Sequence, residues 1–188
     1  MNKSLIRLAI ASIAAMFAAS ASALVVDARN NSSSGGIGLA TGVNLNIGQM
    51  FNVVASPADL WSAGALPRWS NADGLVANLF ATGSDESGQS AGTLIGQNFG
   101  LWSQHGLSAP YGALVGEISN SFFLVGTNFS GSAVASGELK LYYWDSNNGD
   151  NANSVNVTIR VPNQNVPEPA SLALVGLGIA ALGIRRRR

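Results

Sequence analysis

The sequence predicts an all-β domain, a jelly-roll-like antiparallel β-sandwich, flanked by an N-terminal signal helix and a C-terminal transmembrane helix. Residues 138–144 and 155–161 alternate apolar and polar side chains with a period of two, which is typical of strands with one buried face. Gly, Asn and Ser occupy turn-forming positions between the candidate strands. No window between the two ends has the apolar spacing of an amphipathic helix. Several short strands separated by turns favour a sandwich over a parallel α/β sheet.

The remaining strands are predicted from shorter apolar or alternating windows. These windows are 43–47, 50–55, 113–118 and 122–125. Gly48-Gln49 is expected to turn the chain between the first two of them. The segment 81–108 is rich in Gly and Ser and is the least regular, so we predict a long excursion near one end of the sandwich.

Residues 1–23 have the features of a secretory signal peptide. Lys3 and Arg7 precede an apolar centre over 8–19, and Ala21-Ser22-Ala23 provides a small-x-small cleavage site. We therefore predict cleavage after Ala23. An uncleaved membrane anchor is the alternative, and the short, Ala-rich centre disfavours it.

The C-terminal end has three unlike parts in sequence. Pro167-Glu168-Pro169 comes first, an apolar run of 15 residues follows over 170–184, and four arginines end the chain: Arg185, Arg186, Arg187 and Arg188. The run would form about 22 Å of helix, which is short against a hydrocarbon core of roughly 30 Å, so spanning needs local thinning or arginine snorkelling. Arginines cross a bilayer at high cost, so these are expected to stay in the cytoplasm as a membrane stop.

This order of parts resembles the PEP-CTERM proteins of Gram-negative bacteria. The resemblance implies that the segment 166–188 is recognised and cut by an exosortase, a membrane transpeptidase-like enzyme, with Pro167, Glu168 and Pro169 as the sorting motif. The ectodomain, predicted over 24–165, would be anchored to the inner membrane on its periplasmic side before processing. It would reach the cell surface or the extracellular matrix afterwards. A plain membrane tail, in which the prolines only precede a helix, is the alternative.

Charge is unevenly distributed along the chain. The ten basic and ten acidic residues of the whole sequence cancel, but residues 24–166 contain four basic and nine acidic residues, a net charge of −5. Nucleic acids and anionic lipids are bound through clustered Lys and Arg, so neither is an expected partner of the ectodomain. The chain has no Cys, which excludes disulfides and thiolate metal sites.

The loop 145–151, between the two clearest strands, is a candidate metal site. Its sequence is Asp-Ser-Asn-Asn-Gly-Asp-Asn, and carboxylate and amide oxygens are the ligands that Ca²⁺ prefers. If Asp145 and Asp150 approach to about 4 Å, their repulsion is on the order of 4 kcal/mol at an effective dielectric near 20, and a hard cation would remove it. The alternative is a hairpin with a type I′ turn at Asn148-Gly149 and both acids solvated. The pattern alone leaves both open.

A series of short motifs resembles the galactose-binding-like sandwich of PA-I-type bacterial lectins. In order, the motifs are Thr41-Gly42-Val43, Gly48-Gln49, Asp59-Leu60-Trp61-Ser62-Ala63-Gly64, Asn71-Ala72-Asp73-Gly74-Leu75, Tyr111-Gly112-Ala113-Leu114-Val115-Gly116-Glu117-Ile118, Gly137-Glu138-Leu139, Trp144-Asp145 and Gly149-Asp150-Asn151. They cover most of 38–161.

The lectin resemblance implies one Ca²⁺ whose coordination is completed by sugar hydroxyls. It implies side-chain ligands at Asp145, Asp150 and Asn151, with a backbone carbonyl at Ala63 and another within 146–148. This loop is shorter than in those lectins, which leaves the second carbonyl open. Ser70 and Asp73 stand where the galactose-binding members have His and Gln, so galactose specificity is not implied.

Asp73, Trp69 and Trp61 form a candidate carbohydrate-binding group. Aromatic rings stack on sugar rings, and a carboxylate accepts hydrogen bonds from sugar hydroxyls. The alternative is that both tryptophans pack in the core or at its rim, the common position of Trp in a sandwich.

An enzyme is not expected. The residues 88–92 fit the G-x-S-x-G pattern, but no predicted strand precedes them and no predicted helix follows. The single His, His105, follows Ser90 with no acid between them, which is not the hydrolase order. The sequence therefore predicts an exported, envelope- or exopolysaccharide-associated protein that binds glycans with the help of Ca²⁺. A structural matrix or adhesion protein without free-sugar binding is the alternative.

Overall fold

The computed structural model describes residues 20–162, with side chains from Ala23 onward. The predicted transmembrane helix, the sorting segment and all but the last residues of the predicted signal helix lie outside the described residues. Within 20–162, no helix has the length and apolarity that a membrane span requires.

Fourteen strands and one 3-10 turn make up the described chain. The strands are β1 (Ser20–Asp27), β2 (Leu39–Leu45), β3 (Met50–Ala55), β4 (Trp61–Ser62), β5 (Trp69–Ser70), β6 (Leu79–Phe80), β7 (Leu94–Gly96), β8 (Leu101–Gln104), β9 (Leu107–Pro110), β10 (Ala113–Ile118), β11 (Ser121–Leu124), β12 (Asn128–Ser132), β13 (Gly137–Trp144) and β14 (Ser154–Val161). The 3-10 turn covers Asn148–Asp150.

Eight of the strands form two four-stranded antiparallel sheets. One sheet has the order β1-β14-β3-β12 and the other β11-β10-β13-β2. The pairing is nested, because β1 pairs with β14, β2 with β13, β3 with β12 and β10 with β11. This is the connectivity of a jelly roll, in which a long folded-over hairpin wraps into two sheets. The predicted jelly-roll-like sandwich is therefore confirmed.

The alternating windows form the inner faces of the two sheets. In β14, Val155, Val157, Ile159 and Val161 are buried between the sheets, and in β13 the residues Leu139, Leu141 and Tyr143 are fully buried. Aliphatic side chains at alternate positions project to the same side of a strand, so one face of each strand enters the core. The strands predicted over 50–55 and 113–118 are also confirmed with the same bounds.

Some strands differ from the sequence prediction. Residues 20–23 belong to β1 and pair with β14, where the sequence predicted the end of a signal helix. Cleavage after Ala23, which stays a prediction, would leave residues 24–27 of this strand. Strand β12 was missed because its Asn, Ser and Gly residues show no apolar alternation. The strand predicted over 43–47 ends at Leu45, and Ile47 is exposed in the turn.

The segment 81–108 is an excursion that contains strands of its own. The hairpin of β8 and β9 supplies Trp102 and Ala109 to a small apolar cluster with Val115 and Trp144. Val115 and Trp144 lie on the outer side of the sheet that contains β10 and β13, so the hairpin covers that face. All six residues of β10 are consequently buried.

We predict that the two faces of β14 differ sharply in their tolerance of truncation. Ile159→Ala removes a side chain that is 1% exposed and should lower the free energy of unfolding by about 2–5 kcal/mol, because a cavity remains in the core. The matched change Arg160→Ala, on the exposed face of the same strand, should stay within roughly 0.5 kcal/mol. Urea unfolding monitored by Trp fluorescence measures both, and equal losses would contradict the assigned faces.

Candidate metal and ligand site

The acidic loop crosses from one sheet to the other at an end of the sandwich. It leaves β13 at Trp144 and enters β14 at Ser154, and these strands belong to different sheets. The side chain of Asn147 caps the 3-10 turn by accepting a hydrogen bond from the Gly149 N–H at 3.1 Å. Gly149 does not have a positive φ, so the hairpin with a type I′ turn is not the structure of this loop.

Asp145 is buried at the base of the loop. Asp145 is 4% exposed. The backbone N–H of Asn147 donates a hydrogen bond to Asp145 Oδ2, with an N–O distance of 3.4 Å. Burial raises the pKa of the Asp145 carboxyl, and the negative charge of Asp150 raises it further. The N–H groups of Ser146 and Asn147 and the side chain of Asn151 act in the opposite direction. Burial of a carboxylate disfavours its ionised form unless a cation or enough donors compensate.

Asp150 lies on the open side of the loop. Asn147 Nδ2 donates to Asp150 Oδ1 at 2.9 Å, so Asn147 contacts both acids of the loop. Asp150 Oδ2 is 3.7 Å from Nη1 of Arg68, and the Asp150 side chain is 45% exposed. Gly64 packs against the same carboxylate: its φ is +114°, and a Cβ at this position would collide with Asp150 Oδ2. Only glycine fits here, and its absent side chain leaves room for the carboxylate.

Asn151 contributes a buried oxygen without a partner. Asn151 is 4% exposed, and its Nδ2 donates a hydrogen bond to the Ala28 carbonyl at 3.0 Å. Its Oδ1 accepts no hydrogen bond from any residue of the described range 20–162. A buried polar atom left unpaired costs about 1–3 kcal/mol, so such atoms are rare and usually indicate a partner of another kind.

The carbonyl of Ala63 is brought to this loop by a short bridge between chain segments. Ser62 N–H donates to the Ala152 carbonyl at 2.9 Å, and Ala152 N–H donates back to Ser62 at 3.1 Å. The next carbonyl, that of Ala63, lies 3.5 Å from Nη1 of Arg68, the same nitrogen that approaches Asp150. The four residues predicted as metal ligands therefore lie around one end of the sandwich.

The donors of this site are all oxygens. Two carboxylates, an amide oxygen and a backbone carbonyl are typical ligands of a hard cation such as Ca²⁺, and not of the softer transition metals. Within residues 20–162, no three His, Cys, Asp or Glu side chains come together as a metal-binding group. The buried Asp145 carboxylate and the buried Oδ1 of Asn151, which has no hydrogen-bond partner among the described residues, fit a hard metal ion, which would serve as a partner of both.

The predicted carbohydrate-binding residues are not equivalent in the structure. Trp61 is fully buried, stacks edge-on against Tyr143 at 4.5 Å, and donates from Nε1 to the Gly112 carbonyl at 2.9 Å. It has no free face for a sugar ring, so the prediction for Trp61 is wrong. A two-residue strand gave no periodicity from which its burial could be inferred.

Trp69 and Asp73 remain predictions as ligand-binding residues. Both line a small pocket of about 140 Å³, and Trp69 is partly exposed while it packs against the apolar cluster of Leu60, Ala81 and Ile95. Asp73 Oδ1 accepts hydrogen bonds from the Thr127 N–H at 2.7 Å and the Thr127 hydroxyl at 3.0 Å. This carboxylate therefore already fixes a turn.

Arg68 and Phe99 were missed by the sequence analysis. The Arg68 guanidinium contacts Asp150 and the Ala63 carbonyl, and its Cζ lies 4.8 Å from the centroid of the Phe99 ring. The sequence analysis used Arg68 only in the net charge of the ectodomain. The residues around it give no sign of a contact with a loop about 80 residues further along the chain.

The G-x-S-x-G residues lie in a loop of the excursion 81–108. Ser90 is in an exposed turn, and no hydrogen bond joins it to His105 between residues 20 and 162. The His105 ring stacks on Phe122 at 4.8 Å. Asp85 in the same segment accepts hydrogen bonds from Ser87 and Thr82, which lower its pKa to about 2.

Comparison with known proteins identifies the C-terminal segment. Residues 165–188 match the family described as the PEP-CTERM protein-sorting motif, so this part of the sequence resemblance is confirmed. No curated protein matches the sequence of the chain. Among solved structures, a chain described as "EclA N-terminal domain; PllA-like lectin" is similar with a TM-score of 0.48 and 23% sequence identity. The similarity covers 74% of this chain and 94% of that chain.

We predict that Asp145 makes the metal-free protein less stable as the pH rises. Its pKa is raised in the folded state, so the folded chain retains a proton that the unfolded chain loses above a pH of about 4. The stabilising contribution of the protonated Asp145 is therefore fully present below the unfolded-state pKa of about 4. It is lost as the pH rises through the higher pKa of the folded state. In calcium-free buffer, Asp145→Asn should gain melting temperature relative to the parent between pH 4 and pH 7.

Asp85→Asn is the matched control for this measurement. The lowered pKa of Asp85 gives stability that is present above a pH of about 4 and is lost as the pH falls towards 2. The control should therefore be less stable than the parent at neutral pH. A difference between parent and Asp145→Asn that does not vary with pH would contradict the assignment.

Proposed function

We propose that this chain, which ends in a PEP-CTERM protein-sorting motif, is an exported, non-enzymatic protein whose β-sandwich binds carbohydrate with the help of Ca²⁺. Its C-terminal segment is the substrate of an exosortase. The ectodomain faces the periplasm while the tail holds it at the inner membrane, and processing transfers it to the cell surface or to the exopolysaccharide matrix.

The observation that carries the calcium proposal is the unpaired Oδ1 of Asn151. This oxygen is buried, and the side chain that carries it also acts on the buried Asp145 carboxylate, whose pKa it lowers. Each feature alone is unfavourable, because the unpaired oxygen lacks a donor and the buried charge lacks a cation. One hard cation bound to both would remove both costs, and Asp150 and the Ala63 carbonyl, which approach the same nitrogen of Arg68, are the further ligands we propose.

The division between a buried and an open side supports the carbohydrate proposal. Asp145 and Asn151 hold the inner side, whereas Asp150 is 45% exposed and forms the side that a ligand can reach. Ca²⁺ takes six to eight oxygen ligands, so four donors from Asp145, Asp150, Asn151 and Ala63, with a further carbonyl from 146–148, leave positions for sugar hydroxyls. Bound there, the ion supplies a fixed charge on which vicinal hydroxyls are oriented.

The structural alternative also has an observation in its favour. The Arg68 guanidinium already contacts Asp150 and the Ala63 carbonyl, so part of the loop is held by the protein's own cation. In that case the sandwich serves as a matrix or adhesion module, and any calcium only rigidifies the loop.

We predict that calcium reverses the stability order of the parent and Asp145→Asn. Without calcium, the variant should melt at the higher temperature, because it lacks the buried charge. At calcium about 100-fold above its Kd, the parent should gain roughly 5–10 °C, from about 2.7 kcal/mol of binding free energy, and should exceed the variant. The full chain in a non-ionic detergent, melted in chelator and in calcium chloride, provides the comparison.

Asp85→Asn is again the control, since it should lose stability equally in both buffers. The same preparations on a glycan array separate the two functions. Calcium-dependent array signals that disappear in Asp150→Ala favour the lectin, and a calcium shift without array signals favours the structural protein. A parent that gains nothing from calcium would refute the metal site.

We predict that the mature protein loses its C-terminal tail through the sorting motif. In the native host, intact-mass spectrometry should find a C-terminus before or near Pro167 for the parent. Glu168→Ala should instead accumulate in the membrane fraction with Arg188 still present. A parent that retains Arg188 throughout would contradict processing by an exosortase and favour a permanent membrane tail.

A further inference from the structure

The candidate site contains a basic residue that a neutral ligand would not need. Residues 24–162 include only four basic side chains, those of Arg29, Arg68, Lys140 and Arg160, in a domain of net negative charge. One of the four, Arg68, lies at the open side of the candidate calcium site. Its Nη1 is 3.7 Å from Asp150 Oδ2 and 3.5 Å from the Ala63 carbonyl.

Arg68 is both oriented and accessible. Its guanidinium lies over the Phe99 ring at 4.8 Å from the centroid, and Phe99 is in turn fixed edge-on by Tyr111 at 5.2 Å. The side chain of Arg68 nevertheless keeps 38% of its surface exposed. A guanidinium that is held from one side by an aromatic ring can offer its remaining N–H donors to a ligand with little loss of conformational entropy.

The charges of the site do not balance without an anion. Asp145 and Asp150 contribute two negative charges, which a Ca²⁺ ion neutralises, and Arg68 adds one positive charge. The long distances from Nη1 to its two oxygen partners show that Arg68 is not saturated by them, since a good charge-assisted hydrogen bond is about 2.7–2.9 Å. One negative charge on the ligand would complete the balance.

We infer that the ligand of this site is an acidic sugar, a glycan residue with a carboxylate such as a uronic acid. Its hydroxyl or carboxylate oxygens complete the calcium shell, and its carboxylate pairs with Arg68. A planar carboxylate matches the guanidinium in a two-bond arrangement that neither a hydroxymethyl group nor a lone hydroxyl can form. This inference rests on the proposed calcium-assisted carbohydrate binding and names the class of glycan.

The negative charge of the rest of the domain confines attraction of an acidic glycan to the surroundings of Arg68. At a net charge of −5 over 24–166, the ectodomain as a whole repels polyanions. Attraction of an acidic glycan therefore depends on the one place where Arg68 and a bound cation act together. Exchange of Arg68 should consequently affect acidic ligands far more than neutral ones.

The test uses pairs of methyl glycosides that differ only at C6. The probes are methyl galacturonide with methyl galactoside, methyl glucuronide with methyl glucoside, and methyl mannuronide with methyl mannoside. Each is titrated by NMR into the full chain in detergent and calcium chloride at fixed ionic strength. In at least one pair, the acid should bind about tenfold more tightly than its neutral twin, since a charge-assisted hydrogen bond is roughly twice as strong as a neutral one.

Two variants assign that preference to Arg68. Arg68→Gln should lower the affinity for the acid about tenfold and leave the neutral twin within about twofold. Arg160→Gln removes the same charge from an exposed strand position and should change neither affinity. Arg68→Gln should still show the calcium-dependent melting shift, which establishes that the variant folds and holds the ion.

The outcomes separate this inference from the function on which it rests. Calcium-dependent binding of neutral sugars, with no preference for the acids, would overturn the inference and leave the lectin function standing. A preference for the acid that persists in Arg68→Gln would also overturn it. If no glycoside of either kind binds, or if calcium does not shift the melting temperature of the parent, the proposed function fails and the inference fails with it.

Discussion

The burial of one carboxylate governs this end of the sandwich. Asp145 enters the protein interior because the chain must cross between the two sheets directly after β13, and no Lys or Arg side chain within 20–162 forms an ion pair with it. Its charge is balanced only by N–H groups of the loop and the side chain of Asn151. The need for a positive partner connects the geometry of the loop to the proposed calcium binding and to the position of Arg68.

Arg68 has two opposing electrostatic effects on the acidic loop, which it contacts at Asp150. Near Asp150 it lowers the electrostatic cost of the loop when no ion is bound, yet it repels a divalent ion that occupies the same neighbourhood. In the same position its guanidinium lies over the Phe99 ring, 4.8 Å from the centroid. A ligand carboxylate would relieve the repulsion, which is why ion, arginine and acidic sugar are mutually consistent.

The strands could be predicted where the sequence itself carries the periodicity. Val155 to Val161 alternate because only one face of β14 is buried, and the inner face of β13 is equally plain. Strand β12 could not be predicted in this way, because its pairing with β3 is made by backbone hydrogen bonds and needs no apolar pattern. The buried position of Trp61 depends on its contact with Tyr143, a residue distant in sequence.

The same distinction applies to the candidate site. The acidic loop was recognised because the three side chains proposed as ligands lie within 145–151. Its conformation was not determined by local preference, since Asn148-Gly149 favours a tight hairpin turn and the crossing between sheets requires a different path. The contact between Arg68 and Asp150 is purely tertiary, and no spacing rule could have revealed it.

The pairing of the first strand with the last also has a consequence for how such a chain leaves the cytoplasm. Within the described part of the chain, residues 24–27 pair with residues 154–157, at the far end of the domain. The outer strand of that sheet cannot close until nearly the whole polypeptide has been synthesised, because a contact of such long range is costly to form early. If such a chain is exported through a translocation channel, it would remain incompletely folded while its leading end is threaded, and it would complete its sheet on the far side.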